Sequence, residues 1–188
     1  FGDARLFRRR LIPFTAVIAT ALLVDATGGP SDAPPPAPAG TFGFADVDQI
    51  ARSRAAQAYK ERSGPLPDAF ADLGYDQYRD IRFRPSNALW RGKSLFEVQF
   101  FHRGFNFDQR VNVAEVTPEG VRPIDYDPKL FDYKKLDVPK DLPPETGFGG
   151  FRIHYPLHTP AYKDELIVFL GASYFRALGR NQGYGISA

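Results

Sequence analysis

The chain has 188 residues, 43% of them hydrophobic and 14% aromatic, which is enough apolar material for a substantial core. Its formal charge of +2, from 24 basic and 22 acidic residues, is not the clustered cationic footprint that nucleic-acid binding needs. With no cysteine, a disulfide, a Cys-ligated zinc site and a thiol nucleophile are excluded within these residues.

In chain order, Arg8, Arg9 and Arg10 precede the apolar run "LIPFTAVIATALLV", and small residues follow near Ala26. A basic segment, a short apolar segment and a small-residue cleavage site predict an export signal over residues 1–26, of Sec or Tat type. The apolar run is too short for a comfortable membrane span, which needs about 20 residues. Residues 1–26 hold four of the basic and two of the acidic residues, so the remainder is formally neutral. The Pro/Ala/Gly-rich stretch to residue 41 predicts an extended linker. The chain begins with Phe1 and has no Met, which predicts a fragment.

Residues 46–60 predict a helix, N-capped by Asp46, with Val47, Ile50, Ala51, Arg54, Ala55 and Ala58 on one shallow face that lies on something larger. A second, short helix is expected to start near Asp68. The period then changes to two. "YRDIRF" alternates as a strand, with Arg79, Ile81 and Phe83 on one side. "SLFEVQFFH", "RVNVAEV", "GVRPID" and "GFRIHYPL" follow as strands, and "DELIVFLG" has the uninterrupted apolar character of a central strand. Short strands separated by Pro/Gly turns predict antiparallel β architecture.

His154 and His158 are spaced as a helical metal pair would be, but Pro156 and the alternation place them on a strand, so no metal site is expected. No cofactor is implied, and "GFGGFR" opens no helix that would cradle phosphate. Asp76 and Asp80 flank Tyr78 and Arg79. They could serve as an acid–base pair for glycoside hydrolysis, but pairing with the neighbouring arginines is the better-supported role. "GASYFRALGRNQGYG" sets aromatics, amides and arginines directly after an apolar strand, either as a wall for a polyhydroxylated ligand or as a loop covering a sheet edge. Trp90 has two roles open to it, stacking on a sugar ring or packing the core.

Five blocks, "FGFADVDQIARSRAAQAYK", "LGYDQYRDIRFRPSNALWRG", "FEVQFFHRGF", "GFGGFRIHYPL" and "DELIVFLGASYFRALGRNQGYGISA", resemble in order the periplasmic glucan biosynthesis proteins of the OpgG/OpgD (MdoG/MdoD) type. The resemblance implies a mainly β fold: an antiparallel β-sandwich like galactose mutarotase, with a short N-terminal helix, of which residues 42–188 are the first part. An immunoglobulin-like C-terminal domain of that family would be absent. It implies a periplasmic protein that binds, and in some members hydrolyses, a glucan with a β-1,2-linked backbone. Those hydrolases are inverting endo-glucanases; other members act as non-catalytic binding modules. The general acid is expected beyond residue 188, so no catalytic residue is assigned. The glucan contacts implied are Tyr75, Asp76, Tyr78, Arg79, Trp90, Tyr174, Arg176 and Tyr184. The partner is a polysaccharide or oligosaccharide, with neither nucleic acid nor a stable membrane span after signal cleavage.

Overall fold

The computed structural model describes residues 42–61, 63–139, 141–171 and 173–183. The expected signal, the linker and Tyr184 lie outside the described residues. Three helices come first: α1 (Phe44–Ala55), α2 (Asp68–Ala71) and α3 (Tyr75–Asp80). The strands are β1 (Arg82–Phe83), β2 (Glu97–His102), β3 (Ala114–Thr117), β4 (Gly120–Pro123), β5 (Phe131–Asp132), β6 (Phe148–Thr159), β7 (Tyr162–Leu170) and β8 (Tyr174–Ala177). Every pairing between them is antiparallel. The expectation of a mainly antiparallel β fold holds.

The largest sheet has the order β2-β6-β7-β8. The apolar run read as a central strand is indeed flanked on both sides, by β6 and β8. Register fixes which side chains share a face. Gln99, Arg152, Val168 and Arg176 stand in one cross-strand row, and Phe101, Gly150, Leu170 and Tyr174 in the next row of that face. The opposite face carries Phe100, Phe151, Phe169 and Phe175 in one row. β1 pairs with β5, and β3 with β4 as a hairpin around Pro118-Glu119.

"GFGG" has its explanation in this sheet. A Cβ on Gly150 (φ +155°) would sit 2.2 Å from the Phe169 carbonyl oxygen, and one on Gly149 would sit 2.7 Å from that of His102. The two glycines allow β7 and β2 to approach β6 closely, beside a register shift at Phe101/His102.

The core is aromatic. Phe70, Phe83, Phe100, Phe131 and Phe148 are buried together, joined by Leu73, Val98, Tyr126 and Leu142. Phe83 meets Phe131 edge to face at 5.5 Å, and Phe100 stacks on Phe148 at 4.4 Å. His102 is 2% exposed in the same cluster. Its Nδ1 lies 2.6 Å from the Arg103 carbonyl and its Nε2 2.8 Å from the Tyr126 hydroxyl, which in turn lies 3.1 Å from the Tyr133 hydroxyl. A carbonyl accepts only, so Nδ1 carries the proton and Tyr126 donates to Nε2.

Arg103 is 1% exposed and donates to four backbone carbonyls, those of Asp108 (2.6 Å), Thr146 (3.0 Å), Ser63 (3.2 Å) and Gly64 (3.2 Å), with the Asp108 and Glu61 carboxylates near enough to favour its charge. One guanidinium thereby ties together segments up to 43 residues away in the chain.

Three local expectations need correction. Residues 78–80 of the expected strand 78–83 belong to helix α3; extended backbone begins at Ile81, and only Arg82 and Phe83 pair. Six residues of mixed polarity fit a period of two and of 3.6 equally well. The helix wins because Gly74 starts it, the Gln77 side chain caps the Gly74 N–H at 2.9 Å, and Tyr75 and Tyr78 share one face. Asp46 is the third residue of α1 rather than its cap, and accepts from the Gly43 N–H at 2.7 Å. None of the α1 residues is buried, and the helix ends at Ala55, before Ala58.

Candidate functional site

The central feature is an open cleft of about 1070 Å³. One side is the four-stranded sheet, presenting Phe101, Arg152, Glu165, Val168, Leu170, Tyr174 and Arg176. The other is α3 and the segment after it, presenting Tyr75, Tyr78, Arg79 and residues 81–86. Lys134 and Asp132 close part of the rim.

Each side has its own support. On α3, the Tyr78 hydroxyl donates to the His102 carbonyl at 3.0 Å, and its ring packs on Phe105 and Phe107. Burial pushes the Tyr78 phenol well above its usual range, so it remains a neutral donor. Tyr75 meets Phe105 edge to face, and the Arg79 guanidinium lies 5.8 Å from the Tyr75 ring centre. On the sheet, Glu165 bridges two arginines: Arg152 at 3.1 Å on one oxygen and Arg176 on the other. Arg152 also donates to Gln99 at 2.9 Å and lies over the Phe101 ring at 5.4 Å. This polar row is rigidly tied before any ligand arrives.

Of the eight residues expected to contact ligand, the structure brings Tyr75, Tyr78, Arg79, Tyr174 and Arg176 into this one cleft. The segment expected to form a loop wall supplies Tyr174 and Arg176 from a strand, β8. Asp76 is not among the lining residues; its carboxylate stands 3.6 Å from Arg79 with its side chain 87% exposed. Trp90 sits elsewhere, packed against the core at φ +64°, with its indole N–H donating to Glu115. That bond, then Arg122, holds the Glu115 carboxyl below its usual range. Phe101, Arg152 and Glu165 were not singled out from the sequence. Their signal is the strand alternation itself, which puts residues 99, 152 and 176 on the face away from Phe100 and Phe151.

His154 and His158 lie on β6. His154 Nδ1 is 3.1 Å from the Lys163 carbonyl, and His158 pairs with Asp164 at 3.2 Å. Among the described residues no group of three or more His, Asp or Glu is gathered as metal ligands would be. Among them, too, no helix is long and apolar enough to cross a membrane.

An antiparallel β-protein with an aromatic, arginine-lined open cleft is the class that these features define. The family model described as periplasmic glucan biosynthesis protein, MdoG, matches residues 42–188. The chain is 54% identical over 150 residues to a protein of Ralstonia nicotianae named glucans biosynthesis protein G, covering 78% of this chain and 29% of that one. Proteins of the same name from Vibrio cholerae and Rhodopseudomonas palustris are each 44% identical, over 151 and 184 residues, covering 79% and 96% of this chain. The chain belongs to the periplasmic glucan biosynthesis family MdoG. It spans 28% and 35% of the length of those two relatives.

Proposed function

We propose that the cleft is part of a surface that holds a β-1,2-linked glucan, in a protein exported to the periplasm behind a signal at residues 1–26 and a tether at residues 27–41. In this reading residues 42–188 belong to a sandwich of the galactose mutarotase kind. The observation that carries it is the meeting of Tyr75, Tyr78 and Arg79 with Tyr174 and Arg176 across one cleft, from segments about a hundred residues apart in the chain. Tyrosine rings offer an apolar face to a pyranose and a hydroxyl at the edge, and guanidinium forks donate to vicinal sugar hydroxyls.

Binding is favoured over proton transfer by the state of the cleft's carboxylates. Both Glu165 oxygens are taken by arginines, and Asp132 pairs with Lys134 at 2.9 Å. A general acid has to carry a proton at working pH, and the hydrogen bonds from Lys134 hold the Asp132 carboxyl below its usual range. If members of this family that hydrolyse glucan share this cleft, their acid comes from outside the described residues.

Titration of the protein with linear β-1,2-gluco-oligosaccharides by calorimetry tests the reading. Tyr75→Ala and Tyr174→Ala are each expected to weaken binding about fivefold or more, as buried aromatic contacts do. Trp90 fluorescence should not change on binding, because Trp90 is not in the cleft. No binding by the parent protein, or unaltered binding by both variants, would overturn the assignment.

A further inference from the structure

One residue beside the cleft stands in a backbone conformation that its side chain disfavours. Gly104 and Phe107 exchange two backbone hydrogen bonds, at 3.1 and 2.9 Å, and so close a two-residue loop of Phe105 and Asn106. Phe105 takes φ +54°, whereas Asn106 is not among the residues of positive φ. In a loop that is left-handed at its first residue alone, that residue is normally glycine. Asn106, a type that tolerates such backbone, stands one place too late. A bulky residue persists there only when its surroundings hold it. The Phe105 ring meets three others: Tyr75 edge to face at 6.0 Å, Tyr78 stacked at 6.2 Å and Phe107 edge to face at 6.5 Å. All three of these line the cleft, and Phe105 itself does not. Tyr78 has its own tether, from its hydroxyl to the His102 carbonyl, and Phe107 is fixed by its backbone to Gly104. Tyr75 is exposed, on a helix of six residues with none buried, and so short a helix does not hold itself.

We propose that Phe105 is a positioning residue, whose strained loop sets its ring behind Tyr75 so that the Tyr75 ring meets a sugar already oriented. The proposal rests on the saccharide reading of the cleft and adds how one of its platforms is held. A ring that is immobilised before the ligand arrives loses less side-chain freedom on binding.

The test measures the affinity of the protein for linear β-1,2-gluco-oligosaccharides in variants of position 105. Glycine and asparagine suit the left-handed backbone and remove the ring. Phe105→Gly and Phe105→Asn should therefore fold, yet bind about three- to tenfold more weakly. Phe105→Tyr keeps the ring and should bind within about twofold of the parent. Because Phe105 acts through Tyr75, its effect should disappear where that ring is gone. In a Tyr75→Ala background, Phe105→Gly should change the affinity by less than about twofold. Thermal melts read the strain separately: Phe105→Gly should melt about 2–4 °C above Phe105→Ala, since alanine also lacks the ring but keeps the disfavoured angle. Parent-like affinity in Phe105→Gly and Phe105→Asn would overturn the proposal and leave the saccharide reading intact. An equal loss in Phe105→Tyr would overturn it too, as would an undiminished loss in the Tyr75→Ala background. An alanine variant that melts at or above the glycine variant would overturn the strained hold. Binding of no oligosaccharide by the parent would remove both readings together.

Discussion

At the scale of single residues, His102 sets an acid limit on stability. Burial among Phe70, Phe131 and Tyr133 drives its pKa from 6.5 down to about 4; the bond to the Arg103 carbonyl opposes this and the Arg103 charge adds to it. The unfolded chain therefore binds a proton between these values that the folded chain refuses. Stability contributed by this group is whole above about pH 6.5, falls as the pH drops toward about 4, and falls no further below that. The full swing is on the order of 3 kcal/mol. Urea melts of the parent and of His102→Gln between pH 7 and pH 4 check it. The variant should start lower at pH 7 and lose less on acidification; equal pH slopes would count against a neutral, buried His102. Nothing in the sequence marks this histidine as the buried one of the three. Its burial depends on Tyr126 and Phe131, which lie more than twenty residues further along the chain, beyond the reach of any local pattern.

At the scale of elements, the long strands were legible, and so was the short pair β3 and β4 around its Pro/Gly turn, whereas β5 and β8 were not. β2 and β6 alternate over six residues or more, and β7 announced itself by apolar length and bounding turns. β5 has two residues and leaves no period to detect, and β1, likewise two, is only the end of the longer strand expected over residues 78–83. β8 lies in a glycine-rich segment and reads as a loop until β7 pairs with it. Tyr75, Tyr78 and Arg79 stand out by composition alone, but strand alternation puts Tyr78 and Arg79 on opposite sides, and only the helix brings all three to one cleft. β6 and β7 approach closely at Gly150. Gly150→Ala would push a methyl group into the Phe169 carbonyl at a backbone angle that L-residues avoid. The expected loss is about 2 kcal/mol or more. Hydrogen exchange should locate it, with faster exchange at β7 amides rather than at α1. Unchanged β7 protection in a folded variant would mean that the strand shifts to make room.

At the scale of the whole molecule, the sheet's second face grades from covered to bare. Phe100 is 4% exposed under the aromatic core, whereas Phe169 and Phe175, further along the same row, are 38% and 48% exposed. Phe151 and Phe169 pack at 5.1 Å and Phe169 and Phe175 at 6.4 Å, so the exposed part is a continuous aromatic strip beside the β8 edge. Contiguous apolar strips next to free strand edges drive association. This 188-residue chain is expected to self-associate in sedimentation velocity as its concentration rises. Phe169→Ser with Phe175→Ser should reduce the effect without removing the near-ultraviolet signal of the core. A parent chain that stays monomeric at high concentration would contradict the expectation.

The Arg103 clamp has one more consequence, for how the sequence can drift. The hydrogen bonds of this guanidinium go to main chain: the carbonyls of Ser63, Gly64, Asp108 and Thr146. A peptide carbonyl is present whatever side chain hangs beside it. The clamp therefore places its whole demand for identity on position 103 and almost none on the four positions it joins, which answer only to their own surroundings. A saturation scan would record this as an asymmetry, with one intolerant position wired to several tolerant ones. A method that looks for paired changes between touching residues would find the four joined carbonyls silent, and only the acidic neighbours Asp108 and Glu61 could answer to Arg103.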